Sequence, residues 1–77
     1  SNPSLARMAA NIEKAKATLK LNIDSLENSL QNFYSLSTPE NKLTDTIKSY
    51  SQSLEYKKKQ LENLNNLIEK HSLEFDT

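Results

Sequence analysis

The sequence contains no glycine, and its only prolines are Pro3 and Pro39. Tight β-hairpin turns of the primed types depend on residues with positive φ, above all glycine, so a β-rich fold has little support. The chain is instead rich in Leu, Lys, Glu, Asn, Ser and Gln. This composition is typical of long, solvent-exposed helices.

Cysteine is also absent, and His71 is the only histidine. These absences exclude disulfides, thiolate zinc sites and metal sites that need several histidines. Without glycine there is no phosphate-binding loop and no sharp turn of the kind that presents a nucleophilic serine. The acidic residues are scattered at helix-surface spacing. The sequence therefore predicts a protein that is not an enzyme and that uses no metal or cofactor.

Neither sign of charge prevails, because ten basic and ten acidic residues balance. Such a balance argues against a general binder of nucleic acids or acidic membranes. Apolar runs are far shorter than the roughly 20 residues that span a bilayer. We expect a soluble intracellular protein of the cytoplasm or nucleus. The chain starts without methionine, which favours an excised fragment or a tag remnant, and residues 1–3 are expected to be disordered.

Apolar residues recur in alternating steps of four and three along two long stretches, which indicates heptad repeats. We call these recurring positions the seam. In the first stretch the seam consists of Leu5, Ala9, Ile12, Lys16, Leu19, Ile23, Leu26, Leu30 and Phe33. In the second it consists of Leu43, Ile47, Tyr50, Leu54, Lys57, Leu61, Leu64, Ile68, His71 and Phe75. Two matched seams joined by a short connection predict an all-α antiparallel helical hairpin, a two-helix coiled coil.

The helical pattern is interrupted once, just before Pro39. Thr38 followed by Pro39 predicts an N-cap with proline in the first helical position. A capping box from Ser37 to Glu40 is the alternative. Either one starts a second helix near Pro39 and ends the first helix just before it.

These signals predict a single hairpin over residues 4–77, with helices at about 5–35 and 39–74 and a turn at about 36–38. Ser4 is the predicted N-cap of the first helix.

A turn at residues 36–38 also sets the register of the hairpin. It places Leu19 opposite Leu54, and it puts Lys16 and Lys57 in one layer of the seam. Two ammonium groups buried together are costly, so both side chains are expected to extend outward along their aliphatic stems. In this register the end of the second helix extends beyond the start of the first.

Several apolar residues are candidates for contacts with a partner. Leu21 and three alanines share the back half of the first helix, and the end of the second helix overhangs the open end. The candidate partner-binding residues are Ala6, Ala10, Ala17, Leu21, Tyr34, Leu36, Tyr56, Leu73 and Phe75. The alternative is that single exposed apolar residues are normal on a protein surface. An isolated two-helix hairpin is only marginally stable, which favours completion to a helical bundle by self-association or by a partner.

Six lysines could form a basic band for an acidic or phosphate-bearing partner. They are Lys14, Lys16, Lys20, Lys57, Lys58 and Lys59. The alternative is a solvated surface with a weak polar layer that fixes the register.

Three functions are compatible with this sequence. The first is a protein–protein interaction or scaffold module, a coiled-coil hairpin that is a subunit or fragment of a larger multiprotein assembly. The second is a nucleic-acid-binding arm, because the hairpin shape resembles the tRNA-binding arm of seryl-tRNA synthetases. The single arginine, Arg7, and the zero net charge argue against a nucleic-acid partner. The third is a helical-hairpin secretion or effector subunit, because needle proteins are similar in length and topology.

Overall fold

The computed structural model describes residues 2–75, with Phe75 described by its backbone alone. Within these residues the chain forms α1 (Pro3–Leu36), α2 (Thr44–Lys70) and the short α3 (Ser72–Phe75), and it forms no strand. The two long helices pack against each other in a body of 61 × 16 × 13 Å. The prediction of an all-α helical hairpin is confirmed.

The first helix begins earlier than the sequence predicts. Asn2 is the N-cap, and its side chain accepts a hydrogen bond of 2.9 Å from the backbone N–H of Ser4. Pro3 then occupies the first helical position, where its missing N–H costs nothing. The predicted cap at Ser4 is therefore wrong, and Asn2 and Pro3 form the start of the helix instead of a disordered lead. Ser1 lies outside the described residues.

Burial follows the seam. Every seam residue whose side chain is described is at least partly buried, whereas most other positions are exposed. The core is thin. Among the described residues only Ile23, Leu30 and Leu54 are buried, and each is 8% exposed. At the turn end, the rings of Phe33 and Tyr50 meet edge to face with centroids 4.9 Å apart, a favourable aromatic geometry.

The connection between the helices is longer than predicted. The cap chemistry predicted for Thr38 is present, since its hydroxyl accepts a 2.9 Å hydrogen bond from the N–H of Asn41. Backbone bonds between the same two residues then close a single turn that does not continue as a helix. The second helix begins instead at Thr44, so Pro39 lies inside a connection of residues 37–43. The predicted start near Pro39 is wrong.

The longer connection changes the register. Leu54 belongs to the same cluster as Ile23 and Leu30, with Leu26 packed against it. Ile23 and Leu30 are about 10 Å apart along the helix, so Leu54 joins them and lies near the level of Leu26. The sequence predicts Leu54 opposite Leu19, one heptad away. That prediction assumes a turn at 36–38, whereas the observed connection is centred on residue 40.

This register separates the two seam lysines. Lys58 forms an ion pair of 3.7 Å with Glu27, which places its neighbour Lys57 near the level of Glu27. On α1, Lys16 lies eleven residues before Glu27, which is about 16 Å along the helix axis. Lys16 instead lies 3.8 Å from Glu13 on its own helix. The predicted layer of paired lysines does not form.

The open end also differs from the prediction. The second helix ends at Lys70, His71 is its C-cap, and α3 follows from Ser72. Because α3 packs against α1, the chain as described up to Phe75 does not extend away from the first helix as an overhang. A carboxylate oxygen of Glu74 lies 2.9 Å from Nδ1 of His71 and links α3 to the end of α2.

Candidate partner-binding surface

Most of the predicted partner-binding residues are exposed. The large side chains among them are those of Leu21, Tyr34, Leu36, Tyr56 and Leu73, with Leu21 70% exposed. The three candidate alanines, Ala6, Ala10 and Ala17, are exposed as well. The side chain of Phe75 lies outside the described residues. Exposure makes these residues available to a partner, and it does not by itself bring them together.

Heptad positions show how the surface residues are distributed around each helix. In α1, Ala9 and every seventh residue from it occupy position a, and Leu19 and every seventh residue from it occupy position d. In α2, Leu54 defines position a and Lys57 defines position d in the same way. Positions g and c lie beside d on one flank of the seam, and positions e and b lie beside a on the other flank. In an antiparallel pair the g positions of both helices lie along the same side.

Charged residues avoid one flank of the hairpin. Over α1 and α2, positions b, e and f hold 13 charged residues among 27, and the seam adds only Lys16 and Lys57. Positions c and g hold one charged residue among 18, and this is Lys70 at the last position of α2. Nearly half of the other surface positions are charged, so the near absence of charge at c and g defines a distinct surface.

We call the c and g positions of α1, and those of α2 up to Leu67, the uncharged face. Its α1 residues are Ser4, Met8, Asn11, Ala15, Thr18, Asn22, Ser25, Ser29, Asn32 and Leu36. Its α2 residues are Thr46, Ser49, Ser53, Tyr56, Gln60, Asn63 and Leu67. Small polar side chains dominate, and four larger apolar residues are exposed among them, namely Met8, Leu36, Tyr56 and Leu67.

A groove of about 740 Å³ opens on this side of the hairpin. Residues of α1 and α2 from the uncharged face and the adjoining seam line it: Ala15, Thr18, Leu19, Lys57, Gln60, Asn63, Leu64 and Leu67. The groove shows that the c and g positions of both helices share one side. Small side chains on α1 leave the flanks of Leu19 and Leu64 accessible.

The opposite side carries the charges. The ion pair between Glu27 and Lys58 joins two e positions across the hairpin, and Lys59 pairs with Glu62 at 3.7 Å along α2. Surface ion pairs of this kind contribute little stability.

Three of the six lysines of the predicted basic band form ion pairs within the chain. Lys16, Lys58 and Lys59 each lie within 4 Å of a glutamate carboxylate. Lys57 is partly buried and lines the groove. The other two members, Lys14 and Lys20, are exposed on α1. The six lysines therefore do not present six free charges to one partner.

Met8 and Leu67 are absent from the predicted binding residues, although both lie on the uncharged face. The sequence carries the signal that would find them. The heptad pattern alone shows that positions c and g carry almost no charge.

No group of three or more metal-ligating side chains comes together within residues 2–75. Over the same residues, no helix is long and apolar enough to cross a membrane. No protein-family model, curated protein or solved structure matches this chain.

Proposed function

We propose that this chain is a protein–protein interaction module that docks on other helices through its uncharged face. The observation that carries the proposal is the segregation of charge, which leaves the c and g positions of both long helices uncharged up to Leu67. Interface cores are depleted in charged residues relative to the rest of a protein surface.

The thin core supports the same function. Among the described residues only three side chains are buried, and the flanks of the seam remain open along the groove. A hairpin with so little buried apolar surface gains stability when another protein covers Leu19, Leu64 and Leu67. Docking therefore completes a helical bundle.

A nucleic-acid-binding arm has less support. Lys16, Lys58 and Lys59 already have carboxylate partners within the chain, and the uncharged face offers no cation to a phosphate backbone. No observation on the described residues favours a secretion or effector subunit.

Affinity capture from the source cells tests the proposed function. The bait is compared with a Thr18→Glu/Asn63→Glu variant, which charges the uncharged face, and with a Lys20→Glu variant, which makes the same change in net charge at an exposed e position on the opposite flank. We expect the first variant to lose the captured protein and the second to retain it. Equal capture by all three baits contradicts docking through this face.

A further inference from the structure

We propose that the occupant of the uncharged face is a second copy of this chain, docked with the two hairpins running in opposite directions. This inference rests on the proposed function and names its partner. The two copies form a four-helix bundle in which α1 lies against α1 and α2 lies against α2.

Charge is the first argument for a second copy. A surface that meets itself brings identical residues together, so like charges on it repel. The uncharged face has no charge to repel its copy. Lys57, at the edge of the groove, is partly buried and can direct its ammonium group outward along its stem.

Position along the hairpin is the second argument. The groove is centred near residue 17 of α1 and residue 62 of α2. A two-fold axis through this centre reverses the levels of the second copy. It places Tyr56 of one copy level with Leu67 of the other, so two exposed apolar side chains cover each other. It also places Lys70 level with Ser53 of the other copy, away from any charge of the uncharged face.

Shape is the third argument. Between the centre of the groove and the connection, the face carries the small side chains of Ser25, Ser29, Ser49 and Ser53, and its large residues there are Tyr56 and Leu36. The other half of the face carries the exposed side chain of Met8. The same two-fold axis places Met8 of one copy over Ser25 and Ser29 of the other. A large residue then fills the space that small residues leave.

The area of contact is close to what a stable pair needs. With the axis near residue 17, the two copies overlap over roughly 30 residues of α1, which is about 45 Å of helix. The hairpin is 16 Å wide. The overlap therefore covers on the order of 700 Å² on each copy, and standard interfaces bury roughly 800 Å² on each partner.

Sedimentation velocity over a wide range of concentration tests the association. We expect wild type and Lys20→Glu to form dimers, and Thr18→Glu/Asn63→Glu to weaken dimerisation by about tenfold or more because like charges face each other. Glutamate favours helices more than threonine or asparagine, so helicity measured by circular dichroism should be retained. A folded wild-type monomer at all concentrations, or a dimer disrupted by Lys20→Glu instead, overturns the proposal.

Crosslinking tests the arrangement. Thr18 lies next to the proposed axis, so Thr18→Cys should react with its copy through a short bis-maleimide, and the cysteine-free background leaves no competing thiol. Lys20→Cys, at an exposed e position on the opposite flank of α1, is the control and should remain uncrosslinked. Equal crosslinking of both variants contradicts the arrangement. A monomeric wild type would rule out the second copy. If the Thr18→Glu/Asn63→Glu bait still fails to capture the protein that wild type captures, the proposed function stands with a different partner.

Discussion

At the scale of single residues, the seam positions are those that hold the hairpin together. Ile23, Leu30 and Leu54 are the most buried side chains, and Leu54 joins the other two. The heptad pattern identifies all three from the sequence, because helical periodicity determines which side chains can face a second helix.

Leu54→Ala should lower the free energy of unfolding by about 2–3 kcal/mol, near the lower end for buried leucines because the core is thin. Leu21→Ala is the matched control, and at 70% exposure it should change stability by less than about 0.5 kcal/mol. Chemical denaturation monitored by circular dichroism measures both. Equal effects from the two substitutions would contradict the assigned core.

Thr38→Ala removes the hydroxyl that accepts from the N–H of Asn41. We expect a loss of about 0.5–1 kcal/mol, as for other caps, whereas Thr38→Ser keeps the acceptor and should be close to wild type. Thermal unfolding compares the three chains. A loss with serine as large as the loss with alanine would show that the hydroxyl is not the stabilising group.

At the scale of the helices, the sequence predicts the elements better than their junction. Periodicity identifies the two helices, but the Thr38–Pro39 signal is compatible with either a helix start or an isolated turn. The isolated turn is the one that lets Phe33 pack on Tyr50 and Leu54 pack near Leu26. These contacts join residues far apart in the sequence, so the cap residues alone do not predict them. Tertiary contacts override local propensity here.

The register can be measured with paired cysteines. A Leu26→Cys/Leu54→Cys variant should form an intramolecular disulfide under mild oxidation, because these positions share a level of the seam. Leu19→Cys/Leu54→Cys is the control, one heptad away, and should not close, since a disulfide needs Cα atoms within about 7 Å. A disulfide in the control pair alone would instead support the register with the turn at residues 36–38.

At the scale of the whole molecule, one long side of the hairpin is charged and the other is not. The candidate residues predicted for their apolar character include Leu36 and Tyr56 on the uncharged face, and Leu21 at an f position on the back of α1. Selecting apolar residues one at a time misses the pattern, because most of the uncharged face consists of serine, threonine and asparagine.

The dependence of thermal stability on protein concentration tests the central claim most directly. Association of folded chains raises the unfolding midpoint as concentration rises. We predict this rise for wild type and for Lys20→Glu, and a markedly smaller rise for Thr18→Glu/Asn63→Glu. A midpoint that does not change with concentration in any of the three chains would contradict a second copy on the uncharged face.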